Sequence, residues 1–210
     1  MVRDRDDPVQ PWSHPIMRFL ATLPLLLSLV GTTVFAAESE PATTVRQMVD
    51  EVYAVLNEPA LDHDTRHTRV EETVRRYFDF RAMAQGALGS EWRKASPAQR
   101  ERFQALFEQL LRNTYLNRVD AYSNEKVEFG RTRLRDKRAE VATVILSGGD
   151  RIPVNYRLYR KGERWMVYDV VIENVSLINS YRTNYRAVIR KKGLDGLLEE
   201  MEQLAFRQRG

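Results

Sequence analysis

The 210-residue sequence contains no cysteine, which excludes disulfide bonds, thiolate metal ligands and a cysteine nucleophile. Histidine is nearly absent as well, with only 3 residues. His63 and His67 stand four residues apart, a spacing that places two metal ligands on one helical face. Their neighbours are mostly charged, no third ligand is evident, and the HExxH pattern does not occur. We therefore expect no metal site.

The sequence also lacks the common catalytic and phosphate-binding motifs. No glycine-rich loop follows a predicted strand, no GxSxG elbow occurs, and serine, histidine and aspartate cannot be assembled into a triad. One carboxylate, Asp169, stands inside the otherwise apolar run 165–172. A buried carboxylate can act as a general acid or base. The alternative, which we favour, is a structural acceptor for backbone amides or for an arginine where the strand bends.

A strong excess of charge of either sign is missing too. The chain has 33 Lys and Arg against 29 Asp and Glu, a net charge of +4 that is spread along the sequence. This balance favours anionic partners such as lipid headgroups only weakly and gives no nucleic-acid footprint. Hydrophobic residues make up 43% and charged residues 30%, which is typical of a soluble globular protein.

The N-terminal region has the pattern of a secretory signal. The run 19–37 carries no charge, Arg18 precedes it and small residues close it. Proline and glycine interrupt the run, which is short for a transmembrane anchor, the alternative interpretation. The segment before Met17 is rich in aspartate, so translation is expected to begin at Met17. We therefore assign 1–37 to a signal peptide and 38–210 to one domain.

Hydrophobic spacing divides the rest of the chain into helices and strands. Apolar residues recur with helical period before residue 120 and after residue 176, and with period two between them. Short turns containing glycine link the strands, so neighbouring strands should be antiparallel. The predicted helices span 41–57, 62–77, 79–89, 97–119, 177–191 and 194–207, and the predicted strands span 126–134, 138–147, 151–160 and 164–172. The expected fold is α+β: a four-stranded antiparallel meander sheet covered by N-terminal and C-terminal helices.

Four blocks of the sequence carry a resemblance to a known family: YFDFRAMAQGALGSEW at 77–92, SPAQR at 96–100, WMVYDVVIENVSLINSYR at 165–182 and KGLDGL at 192–197. They resemble the MlaC family, the periplasmic phospholipid-binding components of an ABC transport system. The family is also called the toluene-tolerance auxiliary components. The family usually has glycine where this chain has Asn174, but asparagine tolerates a left-handed turn.

The resemblance implies a periplasmic carrier with an apolar cavity between sheet and helices. Such a carrier shuttles phospholipid between an outer-membrane lipoprotein–porin complex and an inner-membrane ABC transporter complex with a substrate-binding ring, and so maintains outer-membrane lipid asymmetry. Phospholipid is then cargo, and no cofactor is expected. We also expect a monomer that is not an enzyme and has no nucleic-acid partner. The alternatives are a periplasmic adaptor or chaperone without an internal ligand, and an enzyme on a similar sheet-and-helix fold.

Cavity residues and ordinary core residues look alike in a sequence. Each residue that we assign to lipid contact, taken alone, fits plain core better than the cavity, and the set is a stronger prediction than its members. The assigned set is Phe80, Met83, Leu106, Phe107, Leu110, Val141, Val154, Tyr156, Leu158, Val167 and Val171.

A basic row marks the first of the two C-terminal helices. Arg182, Arg186 and Arg190 recur every four residues, with apolar residues on the opposite side of the helix. This pattern predicts docking to an anionic partner or surface. The alternative is a solvated basic face of an amphipathic helix.

Overall fold

A computed structural model describes residues 40–115 and 125–207. The predicted signal peptide lies outside these residues, as does the end of the helix predicted to reach residue 119. Within the described ranges the chain forms six helices: α1 Glu40–Leu56, α2 His63–Tyr77, α3 Phe80–Leu88, α4 Glu91–Lys94, α5 Pro97–Tyr115 and α6 Leu177–Arg207. None of the helices in these ranges is long and apolar enough to cross a bilayer.

The helix boundaries follow local capping chemistry. The Asp62 side chain accepts a hydrogen bond from the Thr65 amide at the start of α2. Ser96 and Gln99 form a reciprocal capping box before α5, with the Gln99 amide donating to Ser96 Oγ and the Ser96 amide donating to Gln99 Oε1. Gly193 interrupts α6 with a φ of 74°, so the two predicted C-terminal helices meet at a kink.

Five strands form the sheet in the described part of the chain, in the order in which they occur along it. All neighbouring strands are antiparallel. The strands are β1 Lys126–Arg135, β2 Arg138–Ser147, β3 Asp150–Lys161, β4 Arg164–Ile172 and β5 Val175–Ser176. The α+β meander is therefore confirmed. The prediction of four strands missed β5, which follows a turn where Glu173 and Asn174 both have positive φ, at 48° and 68°.

The pairing register shows which residues share a face of the sheet. Val141 pairs with Tyr156, which pairs with Val170, and these three side chains lie on one face. The register shifts between Arg157 and Leu158, where β4 holds one extra residue opposite β3. This bulge lets an apolar face continue along the whole length of β4.

Helix α1 covers one half of this apolar face. Val45 and Met48 pack against Val141, Leu158 and Val167, and most of this cluster is inaccessible to solvent. A second cluster joins α3, α5 and α6, and within it the rings of Phe103 and Phe107 on α5 pack against those of Tyr181 and Tyr185 on α6. The first cluster holds α1 on the sheet, and the second holds α3, α5 and α6 together. Neither cluster covers the other half of the apolar face, which lies beneath α2 and α5.

Asp79 fastens the α2–α3 junction to the sheet. Its amide donates to the carbonyl of Val167 at 2.9 Å, and its carboxylate accepts from Tyr159, Lys161 and the amide of Ala82, at 2.5, 2.7 and 2.9 Å. Burial alone would raise the pKa of Asp79, but the donated hydrogen bonds outweigh burial and hold the pKa below its ordinary value. The residue that caps α3 is therefore also a link between helix and sheet.

Candidate functional site

A cavity of about 320 Å³ lies between the sheet and the helices α2, α3 and α5. This volume is at the lower end of the range for ligand pockets, roughly 300–1,000 Å³. From the helices and their junctions it is lined by Val70, Glu71, Val74, Arg75, Phe78, Phe80, Met83, Glu108, Leu111, Arg112, Tyr115 and Leu177. From the sheet it is lined by Ile145, Val154, Tyr156, Val170 and Ile172.

The sheet side of the cavity follows from strand alternation. Val154 and Tyr156 are two residues apart on β3 and so point to the same face. Their partners on β4, Ile172 and Val170, line the cavity beside them. Burial raises the pKa of Tyr156 to about 12, so its phenol stays protonated at neutral pH. The sheet therefore presents branched aliphatic groups and one neutral phenol to whatever occupies the cavity.

All the charged side chains among the described lining residues belong to one group on α2 and α5, which we call the rim quartet: Glu71, Arg75, Glu108 and Arg112. Arg75 forms ion pairs with both Glu71, at 2.7 Å, and Glu108. Arg112 Nη1 lies 3.4 Å from Glu71. Desolvation raises the pKa of Glu108, and the negative charge of Glu71 adds to this, although Arg75 opposes it.

Four of the residues that the sequence assigns to lipid contact line this cavity. They are Phe80, Met83, Val154 and Tyr156. The assigned set includes none of the lining residues of α2, because that helix carries a high density of charge. The available signal was the pair Val70 and Val74, which stand four residues apart and form a short apolar stripe on an otherwise polar helix.

The other seven assigned residues lie outside the cavity lining. Leu106, Phe107 and Leu110 belong to the cluster that joins α3, α5 and α6. Val171 alternates with Val170 and Ile172, so its side chain is on the opposite face of the sheet.

Val141, Leu158 and Val167 are fully buried in the cluster under α1. These three residues, which the sequence assigns to lipid contact, therefore lie under α1 and not at the cavity. The reason is geometric: alternation identifies the buried face of a strand, but it does not say which helix covers each half of the strand.

The basic row on α6 is divided by the structure. Arg182 is half-buried, and its Nε donates to the carbonyl of Gly86 at 2.7 Å, so this guanidinium joins α6 to α3. Arg186 and Arg190 are exposed. The apolar side of the same helix packs into the core through Tyr185 and its neighbours. The predicted amphipathic helix is present, and two of its three arginines lie on the solvent face.

Asp169 is the structural acceptor that the sequence analysis favours. Its buried carboxylate accepts from Arg157 Nη1 at 3.1 Å, from Ser176 Oγ at 2.7 Å and from the amide of Ile178 at 3.1 Å. These bonds connect β3 and β4 to the first turn of α6. In the described ranges no group of three or more His, Cys, Asp or Glu residues could hold a metal ion. The site is therefore a largely apolar cavity with charges at one place on its wall.

The chain is similar to proteins of one family. The MlaC protein family model matches residues 46–203. The intermembrane phospholipid transport system binding protein MlaC of Haemophilus influenzae is 26% identical over 191 residues, which cover 86% of this chain and 89% of that protein. The toluene tolerance protein ttg2D of Pseudomonas putida is 29% identical over 105 residues, about half of each chain (49% of both).

A solved structure has the same fold. It is the phospholipid-binding protein from Ralstonia solanacearum in complex with a phospholipid, with a TM-score of 0.76 and 24% identity, covering 82% of this chain and 100% of that one. The family match runs from α1 into the last part of α6 and so includes every element that lines the cavity. With the sequence match and the fold in agreement, the chain belongs to the MlaC protein family.

Proposed function

We propose that this protein binds a phospholipid and holds its acyl chains in the cavity between the sheet and the helices α2, α3 and α5. The observation that carries the proposal is the cavity itself, about 320 Å³ in volume and lined by aliphatic and aromatic side chains except at the rim quartet. The names of the Haemophilus and Ralstonia proteins, which refer to phospholipid, support the same cargo.

The physics of the cargo explains why such a cavity is needed. A diacyl phospholipid has on the order of 30 methylenes, and at roughly 0.8 kcal/mol each, exposing both tails to water costs about 24 kcal/mol. The tails are already dry in a bilayer, so moving them into a dry cavity changes this free energy little. The protein can therefore take up and release lipid without a large net affinity, as a carrier requires.

The wider role that we propose is transport through the periplasm after removal of the signal peptide. The protein would exchange lipid with an outer-membrane lipoprotein–porin complex and an inner-membrane ABC transporter complex with a substrate-binding ring, and so maintain the asymmetry of the outer membrane. The name of the Haemophilus relative, an intermembrane transport binding protein, supports this role. Handover from cavity to cavity would keep the tails away from water throughout.

The proposal is tested by mass spectrometry of an organic extract of the purified protein. We expect about one phospholipid per protein chain, because the cavity is a single space with apolar walls except at the rim quartet. The matched sample is an unrelated periplasmic protein purified in parallel from the same cells. An extract with no more phospholipid than this sample would contradict the proposal and favour an adaptor or chaperone without an internal ligand.

Docking to partners gives a second expected result. Charge reversal of the two exposed arginines on α6, Arg186→Glu with Arg190→Glu, should weaken binding to an anionic partner or bilayer about tenfold at low salt. The reason is that attraction between the arginines and negative charges on the partner becomes repulsion, and low salt screens this repulsion least. Bound lipid should be retained. The control is Arg69→Glu with Arg93→Glu, which makes the same charge change at other exposed positions. Equal binding by both double variants, measured by surface plasmon resonance, would mean that the row is only solvated.

A further inference from the structure

The rim quartet gives the cavity a polar end whose chemistry is specific. The two carboxylates are the more buried members, with 23% of the Glu71 side chain and 18% of the Glu108 side chain accessible. The two guanidinium groups reach further out, with 48% of Arg75 and 43% of Arg112 accessible. The carboxylates thus stand behind the arginines and hold them at the boundary between cavity and solvent.

The arginines have donors to spare in this arrangement. A guanidinium carries five N–H donors, and the only hydrogen bond found for Arg112 on the described residues is one of 3.4 Å, to Glu71. The side chain of Glu71 contacts both arginines, so the two guanidinium groups lie near the same carboxylate. An anion placed at the rim could therefore receive hydrogen bonds from both.

A phospholipid, the cargo in the proposed function, carries an anionic phosphodiester group that requires hydrogen-bond donors. Burying an ionised phosphodiester among aliphatic side chains is strongly unfavourable, so the phosphate must remain where charge and water are available. Arginine is suited to it, because its planar fork donates two parallel hydrogen bonds to phosphate oxygens. The remaining described lining residues offer only neutral side chains, two of them tyrosines.

We propose that Arg75 and Arg112 bind the phosphodiester group of the lipid and make this protein select phosphate-bearing diacyl lipids over neutral diacylglycerol. Glu71 and Glu108 are the positioning residues, which hold the guanidinium groups at the rim while the cavity is empty. The proposal rests on the proposed function, because it takes the tails to lie in the cavity, and it adds which part of the lipid is recognised.

The test is lipid uptake from vesicles that contain equal amounts of phosphatidylglycerol and diacylglycerol with matched acyl chains. The wild-type protein is expected to prefer the phospholipid, and the Arg75→Gln/Arg112→Gln variant is expected to reduce that preference about tenfold while still taking up diacyl lipid. The control is Arg69→Gln/Arg102→Gln, which removes one arginine from each of the same two helices outside the cavity lining. It should behave as wild type.

The Arg75→Gln/Arg112→Gln variant leaves the carboxylates of Glu71 and Glu108 without partners, and this could prevent folding. A second variant therefore keeps the test decisive. Replacing all four rim residues by glutamine removes both signs of charge together and leaves no unpaired ion. This variant should fold and show the same loss of preference. An unchanged preference in either folded variant would overturn the rim assignment. A wild-type protein that takes up neither lipid would instead contradict the proposed function.

A last arm separates a lipid phosphate from free phosphate. Inorganic phosphate in several-fold excess over the lipid phosphate is expected to leave uptake unchanged, since the tails hold the headgroup at the rim at a high effective concentration. Loss of phospholipid uptake under these conditions would mean that the rim is a site for the free ion, and the lipid assignment would then fail.

Discussion

Replacement of Val154 by tryptophan is expected to reduce co-purified phospholipid at least about tenfold while the melting temperature changes by only a few degrees. Val154 lies on the central strand β3, is 5% exposed, and points into the cavity. In a packed core an added indole strains the structure by about 1–3 kcal/mol or more. In a cavity of about 320 Å³ the ring can occupy the space meant for an acyl chain. The measurement is lipid content by mass spectrometry, together with thermal unfolding of the same samples.

Two matched variants identify the cause of the effect. Val144→Trp places the same ring on the opposite face of the sheet, since Val144 pairs with Pro153 and alternates with cavity-facing Ile145. It should keep wild-type lipid. Leu158→Trp puts the ring under α1, where the side chain is fully buried, and should lower the melting temperature while the folded fraction keeps its lipid. If Leu158→Trp lost its lipid while Val154→Trp kept its lipid and lost thermal stability, the binding site would instead be in the cluster under α1.

The second large effect is expected for Asp169→Ala, which should lower the free energy of unfolding by about 3 kcal/mol. Removing the carboxylate leaves the buried amide of Ile178 without its acceptor, at a cost of about 1–3 kcal/mol. It also ends the bonds from Ser176 and Arg157. Loss of the Arg157 hydrogen bond costs less free energy, because the Arg157 side chain is 36% exposed and keeps its ion pair with Glu140 at 3.1 Å.

Denaturant unfolding measures this loss, with Glu140→Ala as the control. Glu140 pairs with the same arginine but is more exposed, so its removal should cost under about 1 kcal/mol. The Asp169→Asn variant retains one acceptor oxygen, so its loss of unfolding free energy should lie between the losses for Asp169→Ala and Glu140→Ala. If Asp169→Ala unfolded like wild type yet failed to hold lipid, the carboxylate would have a role at the site, and its interpretation as a structural acceptor would be wrong.

The elements that the sequence predicted well are those determined by neighbouring residues. Asp79 caps α3, Ser96 caps α5 and Gly193 kinks α6, and each of these depends on contacts within a few positions. The strand β5 was missed because two residues are too few to establish a period. Helix α4 was missed for the same reason, as it has only four residues.

The site was predicted less completely, since it depends on distant contacts. Alternation showed that Val154 and Leu158 are both inward-facing, but the choice between cavity and core depends on which helix crosses above each. The rim was not predicted at all. Charged residues on α2, such as Glu71 and Arg75, are what an exposed helix face would carry, and only the packing of α5 beside α2 brings Glu108 and Arg112 to them.

The division of one sheet face between α1 and the cavity has a consequence for the protein without bound lipid. A cavity of about 320 Å³ that loses its occupant leaves its lining side chains with fewer van der Waals contacts than a filled core has. The cluster under α1 has no cargo to lose and keeps Val45, Val141, Leu158 and Val167 packed in either state. Under the proposed function, release of a lipid would therefore leave one half of the sheet face without its packing partner, and the cluster under α1 would keep the chain folded until another lipid binds.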